Sequence, residues 1–195
     1  MANTVQTASG PENPAPHVPD RPARWTNLAL PPYAHHPGRT PHPHLSPQGH
    51  SHGRPAFAAK PRSPQHWRED EAWLFGVDLW NAGYFWEAHE AWESAWTARG
   101  REGEQARFLQ ALIQAAAAHV KVNVAQPEGA RGLWERARTA LEPLARGGGS
   151  VLYMGLDVEQ FLGCQSRWLA WSMGDRQSAE PLFPFLSLED CSKTR

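Results

Sequence analysis

Residues 108–120 read FLQALIQAAAAHV. On a helical wheel this stretch is apolar nearly all round, the pattern of a central helix with neighbours on most sides. Its run Ala115 to Ala118 lets a neighbouring backbone come close. The spacing predicts a helix over about Glu104 to Val124, entered through the turn GREGEQ at 100–105. Beyond it, Pro127 opens another helix in which Ala130, Leu133, Trp134, Ala137, Leu141 and Leu144 follow the helical repeat. The opposite face alternates Glu128, Arg131, Glu135, Arg138 and Glu142, an ordinary solvated surface. RGGGS at 146–150 ends that helix as a plain linker, without the lysine of a phosphate loop. A last helix is expected from Asp157, paired with Gln160 as a capping box, to about Trp171.

Upstream of 108 the same grammar continues. Residues from about Tyr84 to Arg99 read as a second helix, and Gly83 is placed to end a first one. That first helix is expected to start at Ser63 as N-cap with Pro64 at its first position. Trp67, Leu74 and Val77 mark its apolar stripe, broadened by Trp73, Leu79 and Trp80. No strand and no internal repeat is expected. The fold class is therefore all-α, a compact bundle of about five helices, mostly antiparallel, over residues 63–190.

The chain before Ser63 is made differently. The first 64 residues hold 14 of the 18 prolines and the first 66 hold eight of the ten histidines, a density that excludes regular helix and most sheet. A disordered tail is expected over 1–25, followed by an extended Pro/His-rich arm over 26–62, either solvated or packed on the bundle. Lys and Arg number 19 against 20 Asp and Glu, so no global field favours nucleic acid or an anionic membrane. No apolar run approaches the ~20 residues of a membrane helix. Cys164 and Cys191 fit no metal or redox spacing. A cytoplasmic protein without a secretory signal is the expectation.

The second helix raises a question of chemistry. Phe85, Trp92 and Trp96 define its apolar centre, with His89 about 40° and Glu93 about 80° from Phe85. Glu90 flanks the pair, and Glu87 is expected to point to solvent. On the third helix Gln110 and Gln114 share one face with Ala117 and Lys121, whereas His119 aligns with Phe108, Leu112 and Ala115. Burying an unpartnered amide costs on the order of 1–3 kcal/mol. The economical expectation is that Gln110 and Gln114 meet His89 and Glu93 in one shared, mostly dry pocket.

Three chemistries fit such a centre. His89 and Glu93, one turn apart, can share a divalent cation, with Glu90, His119, His42 or His50 as third ligand. HEAWE has glutamate where H-E-x-x-H has its second histidine, so this is not a zincin motif. Alternatively His89 moves protons without a metal, oriented by Glu93, although no nucleophile motif accompanies it. Finally, a His-Glu-Gln network can fix helix register with no substrate at all. The tryptophans read mostly as core filler whose indole N–H groups need acceptors, with Glu90 or Glu93 available.

LFGVDLWNAGYFWEAHEAWESAW (74–96), with the segment that begins at Phe108, resembles the family catalogued as domain of unknown function 309. The family pattern Asn-x-Gly-x-Tyr/Phe-x-Glu-x-His-Glu-x-x-Glu-x-x-Trp falls on Asn81, Gly83, Phe85, Glu87, His89, Glu90, Glu93 and Trp96. Phe-x-Gln-x-Leu-Ile-Gln falls on Phe108, Gln110, Leu112, Ile113 and Gln114. The match covers about residues 72–145, and Ala111 stands where the family usually has glycine. LPPYAHHPGRTPHPHLSPQGHS (30–51) is similar to a leader of some members. The resemblance implies an all-helical fold and, from labels given to members, a metal-dependent hydrolase. In that reading His89 and Glu93 hold the cation, Glu90 is the base, and Gln110 and Gln114 orient water or a small-molecule ligand. The competing class is a non-catalytic module, self-associating through its tryptophan-rich faces.

Overall fold

The chain is described by a computed structural model over residues 22–55, 57–146, 152–175 and 180–189. The expected tail lies outside these up to residue 21, as do most of the glycine linker and Cys191. Five α-helices follow in order: α1 (Glu71–Asn81), α2 (Phe85–Ala98), α3 (Gly103–Asn123), α4 (Pro127–Ala145) and α5 (Val158–Ser172). α3 is the central helix the sequence predicts. It packs against α2 on one side and α4 on the other, while α1 completes the α2 side and α5 the α4 side. The interface alanines Ala111, Ala115, Ala116 and Ala118 are fully buried. Small side chains there admit the neighbouring helices, and the volume between them is filled by Trp73, Trp80, Trp92 and Phe108.

Three fully buried indoles find their acceptors on the backbone, not on glutamates as expected, while Trp86 Nε1 and Trp96 Nε1 have no partner among the described residues. Trp73 Nε1 donates to Met154 O at 3.2 Å, Trp80 Nε1 to Pro184 O at 2.9 Å, and Trp92 Nε1 to Trp73 O at 3.2 Å. A carbonyl satisfies an indole without the desolvation that a buried carboxylate would add.

Two local departures have clear causes. The first helix does not start at Pro64. Pro64–Glu69 form a 3₁₀ segment, and α1 begins only after Asp70, whose buried carboxylate accepts Trp73 N at 3.1 Å. A cap residue needs non-helical dihedrals, and Asp70 (φ −86°, ψ 89°) breaks the run that Ser63 was expected to open. The second departure is a hairpin where no strand was expected: β1 (Leu152–Tyr153) pairs antiparallel with β2 (Leu156–Asp157). Its two-residue turn puts Met154 at φ 49° and Gly155 at φ 80°, the left-handed pair such a turn requires. Strands this short show no readable period. Asp157 then caps α5 as expected, accepting Gln160 N at 2.9 Å.

Two segments without regular structure seal the bundle. At the C-terminal side, Asn81 holds Leu186 through both backbone groups, accepting its N–H at 2.8 Å and donating to its C=O at 3.0 Å. Leu186 is fully buried. The Pro/His-rich arm lies on α1 and α2. Asp78 of α1, itself buried, accepts Trp25 N at 2.7 Å, Thr26 N at 2.9 Å and Thr26 Oγ1 at 2.7 Å. Among the described residues no helix is long and apolar enough to cross a membrane.

Candidate functional site

α2 starts directly after Gly83, whose φ of +83° reverses the chain out of α1. The helix buries Phe85, Ala88, Trp92 and Ala95 against its neighbours, which leaves His89, Glu90 and Glu93 half-buried along its edge. A ligand atom from each of these three lies within 4.8 Å of the others, the one such group among the described residues. Spacings of one and four residues bring this about, because i and i+4 stack on a helix face and i+1 flanks them.

The electrostatics of the group are lopsided. Nδ1 of His89 is shielded from solvent and has no hydrogen-bond partner. Glu90 Oε1 stands 3.4 Å from it. That contact with His89 still draws the Glu90 carboxyl below the usual carboxylate range, against the opposing effect of burial. So Glu90 is held ionised, as a metal ligand must be, beside the shielded nitrogen of His89.

Gln110 and Gln114 do not join this group in the manner expected. Gln110 is exposed, Gln114 is half-buried, and neither amide bonds to His89 or Glu93. The expected dry centre is thus an open edge. Their helix face does continue to it one turn on. Ala117 and Lys121 line a cavity of about 300 Å³ together with Trp86, His89, Val120 and Pro37 of the arm. At its rim the Lys121 ammonium donates to Gln126 Oε1 at 2.8 Å.

His119, one candidate for third ligand, is sealed in the core. Its ring stacks on Phe85 at 4.1 Å and on Trp168 at 4.3 Å, and its Nε2 meets Gln165 Oε1 at 3.0 Å. Full burial pushes its pKa down to about 3, so it stays neutral.

Glu87 corrects the reading most. Expected in solvent, it is only 7 % exposed, because the arm covers that side of α2. Its Oε1 accepts His35 N at 2.8 Å and faces His50 Nε2 at 3.1 Å. His35 and His42 stand edge-on to Trp86, at 4.9 and 5.4 Å. Of the arm histidines, His44 reaches the edge group itself, with Nε2 at 3.8 Å from Glu90 Oε2. Asp78, Glu87 and His44 escaped the sequence reading, since only the fold of the arm gives them partners.

Residues 73–133 match the model of a family described as a domain of unknown function (DUF309). That segment, under a third of the chain, is similar to the DUF309 family. Among curated proteins no match is found. The DUF309 segment runs from α1 into α4 and so contains the whole edge group, while the arm that covers it lies outside the matched residues.

Proposed function

We propose that the protein holds a divalent cation through His89, Glu90 and Glu93 and uses it in hydrolysis of a small molecule seated in the adjoining cavity. The observation that carries this reading is that His89, Glu90 and Glu93 each bring a ligand atom within 4.8 Å of the others. One imidazole with two carboxylates is a donor set that suits Zn²⁺ and other first-row divalent ions. A bound cation of this kind polarises a carbonyl or phosphoryl oxygen and makes water a nucleophile near neutral pH. The grouping favours Glu90 as a ligand over its role as a free base.

The rest of the chain would supply binding and exclusion of water. Trp86, Val120 and Ala117 form apolar walls for the body of a ligand. Lys121 has donors left after its bond to Gln126, and they suit an anionic or carbonyl group at the far end. Gln114 stands on the same face of α3, one turn before Ala117 and two before Lys121, and would orient a ligand that extends toward it; Gln110 is a turn more remote.

The test is elemental analysis of untagged protein purified without chelators. Near-stoichiometric divalent metal is expected in the wild type, and its loss in His89→Ala and Glu93→Gln with helicity intact. A wild type free of metal, and unable to take it up on dialysis, overturns the reading. The non-catalytic alternative draws on Asp78 and Glu87, whose carboxylates are spent on holding the arm. In that case the histidine-glutamate pairs are a fastening and nothing more.

A further inference from the structure

We infer that His44 of the arm is a further ligand of the same cation, so that metal binding and arm docking are linked. The inference rests on the site proposed above. Two features of the arm carry it.

The first is that the other imidazoles around His44 are already engaged. His42 Nδ1 accepts the N–H groups of His44 and Leu45, both at 3.3 Å, which fixes the turn and places the His42 proton on Nε2. His52 Nδ1 donates to the carbonyl of His44 at 2.9 Å. His50 Nε2 is taken by Glu87. These three histidines clamp the loop at positions 42–52, and the ring of His44 is the one that reaches Glu90.

The second is where that ring stands. Glu90 lies between two imidazoles, with Oε1 3.4 Å from His89 Nδ1 and Oε2 3.8 Å from His44 Nε2. Tetrahedral ligand atoms at about 2.0–2.2 Å from one cation stand roughly 3.3–3.6 Å apart, so the His89 contact suits a common ion as it stands, and His44, near the other oxygen of Glu90, must close on the group to join it. The His44 side chain is 38 % exposed, free to swing the short way inward from Glu90 toward Glu93 and His89. By linkage, the factor by which the docked arm tightens metal binding equals the factor by which the metal tightens arm docking.

The experiment is a calorimetric Zn²⁺ titration of the full chain as wild type, His44→Ala, His36→Ala and Glu93→Gln, with amide exchange over residues 42–52 followed with and without Zn²⁺. The expected result is a loss of affinity of about tenfold or more in His44→Ala. His36→Ala, a histidine of the same arm that points elsewhere, should bind as the wild type does. Zn²⁺ should slow exchange over 42–52 about tenfold in the wild type and leave it unchanged in His44→Ala. Equal affinity in His44→Ala, or an equal loss in His36→Ala, overturns the inference: the arm then binds zinc adventitiously or not at all. Zinc that binds the wild type, is lost in Glu93→Gln and ignores His44 leaves the three-residue site standing and removes this extension alone. A wild type that takes up no zinc removes both.

Discussion

His119 and His89 sit on neighbouring helices that pack against each other, yet they live in opposite settings. His119 lies between two aromatic faces, with no exposure, and its Nε2 pairs with the Gln165 amide. His89 stands at the edge, its side chain 25 % exposed, beside two carboxylates it does not fully bond. The first is a polar group absorbed into a core; the second is one left over. Burial alone does not mark a functional histidine. Each ring has a shielded Nδ1 without a partner among the described residues, so that feature does not separate them either. What marks His89 is the pair of carboxylates that bring ligand atoms within 4.8 Å of its own.

The largest effect expected from breaking this contrast is in the core. His119→Ala removes a ring stacked on Phe85 and Trp168 and strands the Gln165 amide, at a cost of roughly 3–5 kcal/mol in urea unfolding. His119→Phe keeps the stacking and removes the titration. The folded pKa of about 3 lies below the ordinary 6.5, so the unfolded chain binds the proton more readily. The stability tied to the neutral ring is complete above pH 6.5 and is lost as pH falls toward 3, by up to about 5 kcal/mol. Wild-type stability should therefore decline relative to His119→Phe as pH falls from 7 to 4. Parallel curves would show that the ring is not sealed as described.

Much of the fold was open to the residues themselves because apolar periodicity is a local signal. α3, α4 and the Asp157 cap stand where 3.6-residue spacing and cap chemistry put them. Of the edge group, the wheel brings His89, Glu90 and Glu93 together for the same reason: they share one helix. What the wheel cannot carry is any contact between distant segments. Glu87 looked solvated because its partners, His35 and His50, arrive from residues with no periodicity to read. Asp70 was hidden by Ser63-Pro64, a stronger-looking start that the buried carboxylate overrides. Gln110 was misplaced by the inference that a polar pair on a mostly apolar helix must be buried; at the edge it meets solvent instead.

The middle effect belongs to the arm. Glu87→Ala leaves His35 N and His50 Nε2 without their shared acceptor, and Asp78→Ala does the same to Trp25 and Thr26. Each should cost about 1–3 kcal/mol of arm docking. The readout is amide exchange confined to residues 22–55, with the bundle still protected. If the bundle loosens with the arm, the two are one cooperative unit and the arm belongs to the core.

The smallest effect should be at His89 itself. Its ring is partly exposed, lies 6.0 Å from Trp86 in a loose stack, and makes no hydrogen bond that the fold depends on. His89→Ala should therefore shift unfolding by about 0.5 kcal/mol or less, the range of surface substitutions away from special features. Substituting either histidine removes an imidazole from the α2–α3 interface region, so chemistry cannot separate them; surroundings must. A near-neutral His89→Ala set beside a crippled His119→Ala would show that the fold does not need the edge imidazole. The residue would then be kept for what it can bind. A loss at His89 as large as that at His119 would instead make both histidines scaffolding, and the edge group would carry no site.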